Sequence, residues 1–415
     1  MSLFPEKGMP EEEIREELEK LYQRAPRYTS EIFRRYSTNP HPIAIEAIKK
    51  FLEINPNNIG THTRVNPENL GVIARIEKEV ILMLGELMGS TDIDGYITQG
   101  GTEGNIMGLW VGRNMLRVHK DSERKICLLK TTLTHYSIDK AADILDIPEI
   151  IDVPLNKDYG MDSQKLYEIL ENKSKEGFKE FLIALTLGYN ATGTIDPVDE
   201  IDAAVKKAEE KLGIKTYIHL DAAIGGLVYP FASDKPLDFR YPSIQSISLD
   251  MHKTGFVPHT AGAFLCRKGL QQWVENQAPY LQYKIDDTLS GSRPGTSAIS
   301  AWSALKTLGQ EGFKKIVYKE IELKNYFLDS VETNTKILSP TLISHRAMNI
   351  IAFSFNSLPQ GKLPASLDKK YKLQPVLFPE SDKYFYTILF MPHMDRNTIL
   401  EFLKDVPYQE DTFKV

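Results

Sequence analysis

The chain has 415 residues, 42% of them hydrophobic and 26% charged, which is enough for a large core and for two or three domains. Fifty basic residues against 56 acidic ones leave a net charge of −6. That balance excludes the strongly basic surface that a nucleic acid or an anionic membrane requires, and it fits a mildly acidic cytoplasmic enzyme.

Cys127 and Cys266 each lie inside an apolar run that reads as a buried strand. Two cysteines cannot make a disulfide framework, and neither has a second Cys or a His at metal-ligand spacing, so no metal site is expected. The N-terminus is charged from Glu6 onward, which argues against a signal peptide. No stretch approaches the roughly 20 apolar residues of a membrane helix. No internal repeat is visible.

In chain order, the first expected helix runs from Pro10 to about Tyr22, with Ile14, Leu18 and Leu21 on one face. A second runs from Pro40 to about Leu52, and Asn55, Pro56, Asn57, Asn58 and Gly60 then break the pattern. A longer helix is expected from about Asn69 to Met88. Strands and helices then alternate: strand Tyr96–Thr98, helix Glu103–Val118, strand Lys125–Lys130, helix Ser137–Leu145, strand Ile150–Val153, helix Ser163–Asn172 and strand Phe181–Leu187. Helix Val198–Leu212 and strands Thr216–Leu220, Ile244–Leu249 and Gly262–Cys266 complete the series. Short apolar strands alternating with helices imply a mostly parallel sheet covered on both faces, an α/β fold.

From about Gly312 the character changes to a long charged helix, strands near Asn349–Ser354 and Tyr384–Phe390, and a last helix from Arg396. This reads as a small C-terminal α+β domain over residues 312–415. It follows a large domain over 61–311 and an N-terminal helical segment over 1–60. Leu358–Pro379, rich in Pro and Lys, reads as a surface connection.

Ligands of open α/β sheets bind beyond the carboxyl ends of the strands, so the residues there are the candidates. Gly100-Gly101-Thr102 lies between a strand and a helix, where free N–H groups and the Thr102 hydroxyl can hold a phosphate; a plain turn is the alternative. His135 follows the second strand of the alternation and can stack on a flat ligand, or cap a helix. Asp221 ends an apolar strand, where a buried carboxylate needs a cationic partner such as a protonated pyridine nitrogen, unless it is a helix cap. Ala222 and Ala223 beyond it would let a flat ring approach. His252-Lys253 follows the next strand, and a lysine there is a usable nucleophile toward an aldehyde. Phosphate anchor, ring stack, pyridinium partner and Schiff-base lysine together are what pyridoxal 5′-phosphate requires.

With these residues in place the sequence resembles the group II pyridoxal-phosphate-dependent decarboxylases, whose members act on histidine, serine, tyrosine, aspartate and glutamate. Gly100-Gly101-Thr102-Glu103-Gly104-Asn105, Gly108, Gly112-Arg113 and His135-Tyr136-Ser137 are similar to the histidine and serine decarboxylases. Asp221-Ala222-Ala223 through Val228, Asp250-Met251-His252-Lys253 and Ala278-Pro279-Tyr280-Leu281 are similar to the archaeal tyrosine/aspartate branch. The resemblance implies the aspartate-aminotransferase fold (fold-type I) and a homodimer whose active site is shared across the interface. It implies that Lys253 carries the cofactor as a Schiff base, that His135 stacks on its ring with Ala223 on the other face, and that Asp221 pairs with the ring nitrogen. Gly101, Thr102 and His252 would hold the phosphate, with Ser292 reaching it from the second subunit. Tyr280 and Tyr283 are candidates, along with His252 and Lys253, for the proton donor to Cα.

Two departures from the family pattern concern the substrate. Gly188-Tyr189-Asn190 stands where the family commonly has Gly-Thr-Thr, and Thr387 aligns with an arginine that the archaeal tyrosine branch has before its Met-Pro-His, here Met391-Pro392-His393. Retro-aldol cleavage of the sphingosine-phosphate-lyase kind, transamination, and a non-catalytic cofactor-binding role use the same scaffold and stay open on the residues alone.

Overall fold

The computed structural model describes residues 7–25, 33, 39–61, 70–117, 125–281, 284–333, 339–373, 375–378 and 382–406. Tyr283 lies outside them. Seven strands form the main sheet: β1 Ile93–Thr98, β2 Ile126–Lys130, β3 Glu149–Asp152, β4 Glu180–Thr186, β5 Lys215–Asp221, β6 Ile244–Leu249 and β7 Gly262–Arg267. Their order is β1-β7-β6-β5-β4-β2-β3. Pairing is parallel except at β7, which runs antiparallel to both β1 and β6.

β4 lies near the centre of the sheet and is buried along its whole length, which is why Phe181, Leu182, Ile183, Ala184 and Leu185 are apolar without alternation. The helices that cover the sheet are amphipathic in the usual way. Helix α1, Val198–Leu212, buries Val198, Ile201, Val205 and Ala208 at helical spacing and ends on Gly213 in the left-handed conformation.

Helix α2, Gly101–Leu116, differs in crossing the sheet on glycine. A Cβ at Gly104 would come within 2.7 Å of the Ser248 Cβ, one at Gly108 would overlap the His219 ring, and one at Gly112 would lie 2.5 Å from the Tyr217 ring. These three positions, one turn apart, bring the helix backbone unusually close to β5 and β6.

A second sheet has the order β8-β9-β11-β10, all antiparallel, with β8 Pro340–Ser344, β9 Ile350–Phe355, β10 Val376–Phe378 and β11 Lys383–Leu389. It carries its own aromatic core of Phe327, Phe353, Phe355, Tyr386, Phe390 and Phe402. The main core also reaches into it through Met348, Ile350, Leu389 and Met391.

Two expectations need correction. Helix α3 begins at Gly295, not near Gly312, and runs to Thr333 with a non-helical break at Gly309. Leu358–Pro379 is not a surface connection: Ala365–Tyr371 is helical, Val376–Phe378 is a strand, and Leu363, Leu367, Tyr371 and Leu373 are buried. Leu367 and Tyr371 are one helical turn apart, a spacing that the intervening lysines obscure. Strand β8 was not expected. The first helix, Glu11–Arg24, has no buried residue, so Ile14, Leu18 and Leu21 remain exposed. No helix of the described residues is long and apolar enough to cross a membrane.

Candidate active site

The strand ends converge on a cavity of about 510 Å³. Gly100, Gly101, Thr102, His135, Asp221, Ala223, His252 and Lys253 all line it, so residues 153 positions apart in sequence meet in one place. Each arrives for a topological reason. Asp221 is the last residue of β5, and His252 and Lys253 occupy the turn Met251–Thr254 directly after β6. His135 lies between β2 and the helix Ser137–Ile144.

At the N-terminus of α2, Gly100 adopts φ 155° and ψ −179°, a backbone open to glycine. A Cβ there would lie 2.9 Å from His252 Cε1, and one at Gly101 would lie 3.1 Å from the Ala223 Cβ. The two glycines therefore leave a hollow beside the helix N-terminus, where N–H groups favour an anion. Glu103 does not enter the chemistry directly. Its carboxylate accepts from the Gln99 N–H at 2.8 Å and from the Tyr96 hydroxyl at 2.9 Å, fixing the turn.

Lys253 Nζ lies 2.9 Å from Asp250 Oδ2. Asp250 is buried, and its other oxygen accepts the Gly101 N–H. The carboxylate thus neutralises the lysine and ties the β6 turn to the glycine turn. His252 Nδ1 lies 2.9 Å from the Ala261 carbonyl, and the ring packs on His259 at 4.1 Å. Burial lowers the pKa of His252 and of His135, against opposing pulls from Asp250 and Asp221.

Asp221 is buried at the cavity wall. Its Oδ1 accepts the Ala223 N–H at 3.0 Å and its Oδ2 accepts from Asn105 Nδ2 at 2.8 Å. Asn105 also reaches Ser137 Oγ at 2.8 Å, and Ser137 Oγ in turn lies 2.8 Å from His135 Nδ1. Behind it, His219 Nε2 and Ser248 Oγ approach Asn105 Oδ1 at 2.9 and 2.6 Å.

Not every candidate is brought here. Tyr280 is 88% exposed and does not line the cavity. Ser292 lies near Asn57, whose Nδ2 is 3.5 Å from its hydroxyl, while Leu289 and Ser290 of the same loop do line the cavity. At the departure Gly188-Tyr189-Asn190, Gly188 and Asn190 face the cavity, whereas Tyr189 turns away. Its hydroxyl donates to Asp196 at 2.8 Å and accepts from Thr131 Oγ1 at 2.9 Å. Burial raises the Asp196 pKa to about 6. Thr387 donates to the Ala191 carbonyl at 2.8 Å, directly behind this rim.

Sequence reasoning missed Asn105, Ser137 and Asp250 as functional residues, although all three stand inside quoted motifs. It also missed His219, an imidazole between the apolar Ile218 and Leu220 of the strand that ends on Asp221, which gave the clearest available signal.

A sequence profile described as the pyridoxal-dependent decarboxylase conserved domain matches residues 4–356. The chain is 31% identical to an L-aspartate decarboxylase of Thermococcus kodakarensis, over 97% of this chain and 98% of that protein. It is 29% identical to a probable L-tyrosine/L-aspartate decarboxylase of Methanosphaera stadtmanae, over 97% of each. Among solved structures it is similar to L-methionine decarboxylase from Streptomyces sp. 590, with a TM-score of 0.81 at 18% identity, covering 97% of this chain and 96% of that one. At that identity the likeness carries the fold, which is the fold-type I architecture.

Proposed function

From the premise that this chain belongs to the pyridoxal-dependent decarboxylase family, we propose that Lys253, Asp221 and His135 are the residues with which it removes CO₂ from an amino acid. The reaction class is that of the family: a pyridoxal-phosphate-dependent carboxy-lyase acting on an amino acid. The residues fit the cofactor. The hollow at Gly100 and Gly101, which a Cβ on either would crowd, suits a phosphate at a helix N-terminus. Asp221, reached by N–H donors alone, suits a protonated ring nitrogen.

Lys253 would hold the cofactor covalently through Nζ, and Asp250 receives that ammonium when the lysine is released. His135 would lie against one ring face and Ala223 against the other. Gly101, Thr102 and His252 would hold the phosphate, and Ser292 would join them from a second copy of the chain. When bound, pyridoxal phosphate supplies an electron sink for the pair left behind as CO₂ departs. Asp221, ionised, holds a proton at the ring nitrogen and so keeps that sink effective. His135 would limit tilting of the ring and so contribute to orientation at the reacting centre. Tyr280, exposed on its own subunit, would supply the proton to Cα in a homodimer whose two chains complete each site.

The observation that carries this reading is the convergence of Lys253, Asp221, His135 and the Gly100-Gly101 hollow on one cavity. Borohydride reduction of the loaded protein tests it. Cofactor should become fixed to Lys253 and survive denaturation; a Lys253→Ala protein that still retained it would overturn the assignment.

For the substrate we propose L-aspartate, the amino acid in the names of both relatives above. Thr387 stands where the archaeal tyrosine branch has an arginine; if that arginine reads a substrate carboxylate, this chain does so with other groups. Release of CO₂ from aspartate, tyrosine, glutamate, histidine and serine, each supplied singly, decides the matter. A higher kcat/KM on any other of the five would displace aspartate.

A further inference from the structure

Asn105 joins two polar arms of the site, one to Asp221 and one through Ser137 to His135. It stands on α2 one turn after Gly101, carried to the sheet by the glycine contacts at Gly104 and Gly108. It is buried, and all four of its hydrogen-bonding positions are used.

The direction of each bond can be assigned. Asp221 accepts the Ala223 N–H through Oδ1, and as a carboxylate it can only accept from its other neighbour. The Asn105 group 2.8 Å from Oδ2 is therefore the amide NH₂. Asn105 Oδ1 then faces His219 Nε2 and Ser248 Oγ, and both must donate. Burial lowers the His219 pKa to about 3, so this imidazole is neutral and carries one hydrogen. With that hydrogen on Nε2, Nδ1 accepts from Ser246 Oγ at 2.8 Å. The second Asn105 N–H goes to Ser137 Oγ, which frees the Ser137 hydrogen for His135 Nδ1. The Ser137 backbone N–H approaches the same nitrogen at 3.3 Å. Both arms run outward from the amide with every hydrogen placed.

We propose that Asn105 is a positioning residue that holds Asp221 as an ionised acceptor toward the cofactor ring and, through Ser137, fixes His135 in the tautomer with its hydrogen on Nε2. A reversed amide would set its oxygen against the Asp221 carboxylate and its NH₂ against two donors. The Asp221 carboxylate thereby sets the amide's orientation, and His219 and Ser248, which do not line the cavity, complete it by occupying Oδ1. The inference rests on the assignment of Asp221 to the ring nitrogen.

The test compares binding of pyridoxal phosphate with binding of its deaza analogue, in which C–H replaces the ring nitrogen. Equilibrium dialysis is run on the full-length wild type, Asn105→Ala and Asp221→Asn. Circular dichroism checks that each apoprotein is folded. Asn105→Ala should weaken the natural cofactor roughly ten- to hundredfold, the scale of a lost bond to a charged group, and the analogue by about twofold at most. The nitrogen-15 shift of ring-labelled cofactor in the loaded variant should move toward the unprotonated value. Equal losses for cofactor and analogue, or none, would overturn the inference. Should Asp221→Asn also treat the two ligands alike, the reading of Asp221 itself fails. Should Asp221→Asn discriminate as expected while Asn105→Ala behaves as wild type, only the role of Asn105 fails. If Asn105→Ala does not fold, Ser248→Ala gives the same comparison at roughly two- to fivefold, judged by the same criterion.

Discussion

Lys324 and Lys253 make an instructive pair, because the more deeply buried of the two is not the one at the strand ends. Lys324 is fully buried on α3, while the Lys253 side chain keeps 19% of its exposure. Lys324 Nζ donates to the carbonyls of His345, Arg346 and Met348 at 2.7 to 3.1 Å. One turn earlier, Glu320 accepts from Asn349 at 3.0 Å. This cluster closes the turn ahead of β9 and spends its bonds on backbone. Lys253 faces a cavity, with a carboxylate that can release it. Depth of burial alone therefore does not find the active site in this fold. What distinguishes the two lysines is open space beyond a strand end.

The contrast can be broken most severely at Lys253. Lys253→Ala should lose roughly four orders of magnitude or more in turnover, measured as CO₂ release, with little change in melting temperature. Lys324→Met should do the reverse. Loss of a buried ammonium with its carbonyl partners costs about 2–4 kcal/mol in urea unfolding, while the protein that remains folded should bind cofactor as wild type does.

The regions should also tilt oppositely with pH. His219 has its folded pKa lowered to about 3 from 6.5, so below 6.5 the unfolded chain takes a proton that the folded one refuses. Its contribution falls as pH drops from 6.5 toward 3, by up to about 1.4 kcal/mol per unit. Glu320 has its folded pKa raised to about 8 from 4.5, so its contribution falls as pH rises across that window. Unfolding of His219→Gln and Glu320→Gln against wild type, across pH 3 to 8, should give differences of opposite slope. The smallest effect is expected at the joint between the regions. Thr387→Val removes one bond to the Ala191 carbonyl and should cost about 1 kcal/mol, with any change in KM exceeding that in kcat.

The parallel part of the main sheet was legible because its central strands are short apolar runs that separate from helices, most clearly at Phe181–Leu185. The antiparallel setting of β7 was not, since an apolar run carries no direction. Strand β8, Pro-Thr-Leu-Ile-Ser, offers too little apolar contrast, and the helix Ala365–Tyr371 hides its two buried residues among lysines. Asp221 and Lys253 stood out as charges at the ends of apolar strands. Asn105 could not, because one amide in a helix has no period and its partners come from β5, β6 and the start of another helix. The roles proposed above for Tyr280 and Ser292 would need a second copy of the chain, which local pattern does not describe.

The three glycines of α2 have a practical meaning for anyone altering this protein. They make the helix a spacer gauge: its distance from the sheet determines whether the Asn105 amide can span from Ser137 to Asp221. A single methyl at Gly108, a buried position that does not line the cavity, would lift that gauge off His219. Such a lesion would register first as weakened cofactor retention. A screen for stability alone would misfile it as a packing defect.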